Sequence, residues 1–194
     1  MQEFFDTCQA HRYNPPPMTS HHQRLPQHID PFRLAYSGQS LRGIIPLRQL
    51  PRLSPLLTDS QGEVEIVLEF SVDPAGVPIL TGHIQAELHL VCQRCAENMT
   101  WPVRSDFCLG LVSSEASMEG LPERYEPYLV ASVPVYLQDI IEDELLLVFP
   151  QIPKHDLTEC PARSYLSTDS DEPQVNEPDT HQPFAGLSDL IKND

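Results

Sequence analysis

Two cysteines separated by two residues, in Cys92-Gln93-Arg94-Cys95, are the part of this sequence best suited to chemistry. Thiolates at that spacing on a tight turn can both reach one ion, at about 2.3 Å each for zinc. A closed structural site needs four ligands. His155 and Cys160 offer the second half, because both follow the last helical pattern in a proline-rich stretch. Three cysteines and one histidine are a legitimate zinc set, so no cofactor is certain from the sequence and a structural zinc is the one candidate it offers. The competing reading is that these are reduced structural cysteines, or the remnant of a larger ancestral site. Cys108, beside Arg104 and Asp106, reads as a spare thiol, and Cys8 belongs to an N-terminal appendage.

Arg94 lies between the two cysteines and is expected to project from a hairpin tip, toward an RNA phosphate or an acidic partner. An exposed arginine at a turn needs neither. Elsewhere the positive charge is concentrated near the start. Residues 1–53 carry six arginines against three acids, a balance of +3, which leaves −19 of the total −16 on the rest. Arg33 and Arg42 in that segment join Arg94 as candidate RNA- or partner-contacting residues. They form no dense patch, and no aromatic stacking motif accompanies them. The acidic body repels phosphate backbones, which argues against DNA, and attracts basic proteins. Acids that merely keep a small domain dissolved would look the same.

Catalytic signatures are missing from the sequence. It holds no Gly-x-Ser-x-Gly, phosphate-binding loop, dinucleotide fingerprint or His-Glu-x-x-His. Glu142-Asp143-Glu144 reads as the solvated face of a helix rather than a pair of acid–base carboxylates. The chain is therefore expected not to be an enzyme.

The elements that must position these residues follow from periodicity. Val64, Ile66, Leu68, Phe70 and Val72 alternate with polar neighbours, as do Ile84, Ala86, Leu88 and Leu90, then Met99, Trp101, Val103 and Phe107. Period-two runs joined by short turns, one of them Asp73-Pro74-Ala75-Gly76, predict an antiparallel meander over residues 62–112. Ser40 to Pro46 predicts another strand and Leu47 to Leu53 a short helical turn. Asp30 is placed to cap a short helix with Pro31 at its first position. Apolar residues at 137, 140, 141, 145 and 148 predict a helix over 137–149 covering one sheet face, which Pro150 stops. Residues 113–127 read as a loop. The fold class expected is α+β: an antiparallel sheet with a covering C-terminal helix and disordered ends.

Length and composition suit one domain, residues 25–160, between two ragged ends. Twenty prolines against eight glycines, gathered mainly in the first third and the tail, point to extended termini. Residues 1–24 read as an appendage, with Met18 a plausible true start. Residues 161–194 read as an acidic, proline-rich tail ending in the short amphipathic segment Pro183 to Ile191. No apolar run of about 18 residues exists, so no membrane span is expected. The polar N-terminus and five cysteines without an export signal suggest reduced thiols and a cytoplasmic setting.

Four segments in order carry a family resemblance. They are Leu88 to Cys95, Leu121-Pro122-Glu123-Arg124-Tyr125-Glu126-Pro127, Glu142 through Asp156, and Pro183-Phe184-Ala185. Together they resemble the YceD family of bacterial large-ribosomal-RNA accumulation proteins, from about Leu25 to the C-terminus. The resemblance implies a role in synthesis, processing or stability of large-subunit ribosomal RNA. The family's gene commonly lies beside that of a small, basic large-subunit ribosomal protein, so the partner expected is such a protein or a pre-ribosomal particle. The alternative is direct binding to the ribosomal RNA precursor through the arginine-bearing N-terminal segment. No catalytic residues are established for the family, so none carry over. Many relatives end in a second cluster of several cysteines, of which this chain keeps Cys160.

Overall fold

The computed structural model describes residues 24–165. The chain divides into two units, Met1–Cys160 and Pro161–Asp194, and the second contributes only the short 3-10 turn Pro161–Tyr165 to the described residues. The expectations for the N-terminal appendage, for Met18 and for the amphipathic end at 183–191 lie outside that range.

A five-stranded sheet dominates the first unit. Its strands are β2 (Ser40–Pro46), β3 (Glu63–Val72), β4 (Pro78–Val91), β5 (Asn98–Val112) and β6 (Glu126–Leu129), side by side in that order. The first four pair antiparallel. β6 instead adds in parallel to the end of β5, with Leu109 opposite Glu126 and Val112 opposite Leu129. The expected meander is therefore present and is one strand wider on each side.

Register puts Ile45, Val64, Ile66, Leu68, Leu80, Ile84, Leu88 and Leu90 on one face, and all are buried. Alternation does the work here, since the residue after each of these faces away and is most often polar, as with Glu65, Glu69, Thr81, Gln85 and His89. Gly82 sits in this face because the Phe107 ring lies across it: a β-carbon there would stand 1.9 Å from the ring.

Two helices pack on the sheet. α1 (Pro31–Tyr36) begins as expected, with Asp30 accepting the Arg33 N–H at 3.0 Å and Pro31 at its start, and it contacts β3 and β4. α3 (Leu137–Val148) contacts β5. A two-residue pairing of β1 (His28–Ile29) with β7 (Val135–Tyr136) ties the start of the described chain to the approach to α3. Leu47, Leu50 and Leu53, from the 3-10 turn at Leu47–Gln49 and the residues after it, are completely buried.

Two expectations need correction. The 113–127 stretch is not plain loop: it contains α2 (Glu115–Met118) and opens β6. Leu121 and Tyr125 from this stretch lie against Gly110, which closes over the end of β5. The acid run on α3 is not a solvated face either. Asp143 is exposed, but Glu142 and Glu144 are buried. Only the stripe through Asp139, Asp143 and Leu147 is exposed, with Leu146 and Val148 half-buried, because α3 is covered around most of its circumference.

Glu142 is 1 % exposed and is satisfied by the chain beneath it. Its Oε1 accepts the backbone N–H of Arg52 at 2.7 Å and of Leu53 at 2.9 Å, and its Oε2 accepts from Arg52 Nε at 2.9 Å. Arg52 also donates to Asp143 and to the Asp139 carbonyl. A second buried carboxylate, Asp73, closes the β3–β4 turn. It accepts from Val77 N–H at 2.7 Å, Arg124 at 2.7 Å and the Tyr125 hydroxyl at 2.8 Å. Burial opposes its charge, but these donors outweigh burial and hold the carboxyl at about 2.

Candidate metal centre

β4 and β5 are the longest strands and pair over their whole facing length, so the turn between them, residues 92–97, is carried on a rigid two-strand arm. Cys92 N–H donates to the Glu97 carbonyl and Ala96 N–H to the Cys92 carbonyl, both at 2.9 Å. Ala96 takes the left-handed conformation, φ 60°, that reverses the chain. This tight geometry puts Cys92 and Cys95 at one end of the arm.

The chain leaving α3 returns to that end. Phe149 stands extended at the helix terminus, and Pro150 follows it. Gln93 N–H then donates to the Pro153 carbonyl at 2.8 Å, which stitches the turn to the exit segment. The His155 N–H points at Cys92 Sγ, 3.4 Å away, and His155 Nδ1 lies 3.4 Å from Cys95 Sγ. One further helical turn, with Glu159 and Cys160 N–H groups both donating to the Asp156 carbonyl at 3.0 Å, swings Cys160 back inward.

The result is a convergence of four donors. One ligand atom from each of Cys92, Cys95, His155 and Cys160 lies within 4.8 Å of every other. Cys92 and Cys160 are buried, while Cys95 and His155 are partly covered. Burial opposes a thiolate at Cys92, but N–H groups of His155, Cys95 and Arg94 aimed at its sulfur, together with the Cys95 thiol, bring it down to about 5. Burial pushes the Cys95 thiol up, as do its sulfur neighbours Cys92 and Cys160. Three sulfurs and an imidazole nitrogen suit a borderline-soft ion of tetrahedral habit, and offer nothing to calcium or magnesium, which require oxygen. Among the described residues no other group of acids, cysteines and histidines converges this closely.

The three candidate arginines are placed on separate elements. Arg33 is exposed in the last turn of α1, and Arg42 is exposed on β2 opposite Val67, on the face away from the core. Arg94 does not simply project from the tip: it is partly covered, and its Nη1 is buried without a hydrogen-bond partner. Cys108 is buried, with Thr81 Oγ1 at 3.8 Å, and stands apart from the four donors. Sequence reasoning missed the buried carboxylates Glu142 and Glu144. The available signal was their place beside the helical apolar stripe, with Glu144 three residues after Ile141 and seven after Leu137.

Comparison with known proteins bears on the same region. The family model described as Large ribosomal RNA subunit accumulation protein YceD matches residues 80–191, more than half of the chain and all four donors. The chain belongs to the YceD family. A YceD-family relative from Haemophilus influenzae, named Large ribosomal RNA subunit accumulation protein YceD, is 30 % identical over 138 residues. That match spans 71 % of this chain and 79 % of the relative. No solved structure matches. The YceD description names accumulation and not a reaction. Among the described residues, no helix is long and apolar enough to cross a membrane.

Proposed function

We propose that this chain supports accumulation of large-subunit ribosomal RNA as a binding scaffold, without catalysing a reaction. Its partner is a basic large-subunit ribosomal protein or a pre-ribosomal particle, met in the cytoplasm. Family membership supports the process. The charge distribution supports the mode of contact: beyond residue 53 the chain carries −19, which opposes RNA phosphate and favours a basic protein surface. The observation that carries the reading is that balance on a domain whose four clustered donors suit a structural ion. The sedimentation profile of the tagged full chain at low salt tests it. Co-migration with large-subunit precursors, and cross-links to a basic ribosomal protein, are expected; recovery on bare ribosomal RNA alone would overturn it.

The four-donor cluster is part of the proposal. Cys92, Cys95, His155 and Cys160 hold one structural zinc that pins the tip of the β4–β5 arm to the chain after α3. The set is closed, four protein ligands with no position left for substrate, as structural sites are. Reduced thiols of a cytoplasmic protein stay available for it. Elemental analysis of the purified chain should give one zinc per molecule, and Cys92→Ser should lower both metal content and melting temperature. A variant unchanged in both leaves the zinc assignment without support.

One observation favours a second reading, direct contact with RNA. The buried, unpaired Nη1 of Arg94 leaves a donor free at the arm's tip. In that reading Arg94, with Arg33 and Arg42, meets phosphates of the ribosomal RNA precursor. Filter binding with Arg94→Gln and with a chain lacking residues 1–53 separates the two readings, since loss of RNA binding supports this one.

A further inference from the structure

The three cysteines of the four-donor cluster are unequally covered. Cys92 and Cys160 are buried, at 0 % and 3 % exposure, whereas solvent reaches Cys95. Cys92 Sγ is also met by the His155 N–H at 3.4 Å. Its sulfur and that of Cys95 lie within 4.8 Å of each other. Oxidation of cysteine follows thiolate character and accessibility, and it stops at a disulfide where a second thiol stands close by. Cys95 offers the access and Cys92 the second thiol.

The turn suits that bond. Ala96 N–H donates to the Cys92 carbonyl at 2.9 Å, so residues 92–96 already form a closed turn. The first and fourth α-carbons of such a turn stand within about 7 Å. A disulfide spans about 4.4–6.8 Å between α-carbons, so Cys92 and Cys95 can join without moving either strand. Cys160 enters from the segment after α3, and a bond to it would need two segments to shift together.

We propose that Cys95 is the site at which a hydroperoxide oxidises this chain, giving a Cys92–Cys95 disulfide and releasing the zinc. This rests on the reading of the four donors as a zinc site, where bound cysteines are already thiolates. The Cys95 thiolate attacks one oxygen of the hydroperoxide. The O–O bond breaks, hydroxide or alkoxide leaves, and Cys95 becomes a sulfenic acid. The Cys92 thiolate then attacks the Cys95 sulfur, the S–O bond breaks and hydroxide leaves. With hydrogen peroxide, two thiolates, one peroxide and two protons from water give one disulfide and two waters. Two of the four ligands are then spent, and His155 and Cys160 alone make an open, weak site. The arm's tip is left tied to the segment after α3 by hydrogen bonds such as Gln93 N–H to the Pro153 carbonyl rather than by an ion.

Treatment of the full chain with hydrogen peroxide, followed by a chromogenic zinc chelator and intact mass, tests this. Zinc is measured on the untreated chain first. Each molecule should then release one zinc and end two hydrogens lighter than the reduced, metal-free chain, and peptide mapping should place the bond at Cys92–Cys95. The oxidised chain should melt with the EDTA-stripped chain, and dithiothreitol plus zinc should restore the original melting temperature. Replacing both thiols outside the cluster, with Cys8→Ser and Cys108→Ser together, should leave the rate of zinc release within twofold. Zinc kept under peroxide, a bond to Cys160, sulfinic acid at Cys95 without a disulfide, or a larger change in the double variant would each overturn the proposal. All four leave the zinc assignment standing, whereas an untreated chain that holds no zinc removes both.

Discussion

Glu142→Ala removes the carboxylate that joins α3 to the turn at residues 51–54. The Leu53 N–H and the Arg52 N–H both end on Oε1, and the first of these bonds is fully buried. Leaving a buried N–H unpaired costs about 1–3 kcal/mol, and removing one partner of a buried charge pair about 3–5 kcal/mol in all. Arg52 is the exposed partner and rehydrates, so the lower end, ~3 kcal/mol, applies. For a chain of this size 1 kcal/mol corresponds to about 2–4 °C, so the melting temperature should fall by ~6–12 °C. Glu142→Gln is the control: its carbonyl oxygen still accepts both backbone N–H groups and only the Arg52 Nε bond is lost, so about half that drop is expected. Urea unfolding followed by far-ultraviolet circular dichroism reads both. Equal, small losses under 1 kcal/mol for the two variants would refute the assignment of Glu142 as the acceptor that holds α3 in place.

Other consequences can be checked in the same way. Gly82→Ala puts a methyl group 1.9 Å from the Phe107 ring and should cost ~1–3 kcal/mol, a loss largely relieved in a Phe107→Leu background, as a double-mutant cycle would record. Asp73→Asn should destabilise by ~2 kcal/mol at neutral pH. Because the folded carboxyl sits at about 2, below its ordinary value, the aspartate's advantage is fully present above about pH 4 and lost as pH falls through 2, so the two chains should converge in acid unfolding. A chelator such as EDTA, if it strips zinc, should lower the melting temperature of the unaltered chain and not that of Cys160→Ser, as a thermal scan with and without the chelator would show.

Period-two alternation made β3, β4 and the first half of β5 legible, because one face is buried and the other more open there; Phe107 to Val112 of β5 are buried on both faces. The Asp30–Pro31 start of α1 was legible because a cap and a fixed φ are local properties. The four donors were legible as a list, since a Cys-x-x-Cys turn invites a search for its missing half, and the structure brings that list together. β6 was not legible: four residues with an edge proline carry little pattern, and parallel pairing to β5 depends on tertiary placement. Glu142 and Glu144 were misread for a related reason. A helix covered on one side displays charge outward, but α3 packs against β5 and is also met by the turn at residues 52–53, and sequence periodicity does not reveal how wide the covering is.

The donors of the proposed zinc site come from chain segments some sixty positions apart, the His155 N–H reaching a sulfur 63 residues earlier. A cross-link closing a loop of that length removes roughly 4 kcal/mol of entropy from the unfolded chain. It also imposes an order on synthesis. The first pair of sulfurs is made before any of β5, and the last only after α3, so the knot can be tied only once the whole sheet and its helix have been translated. Capture of an ion there would mark a finished domain.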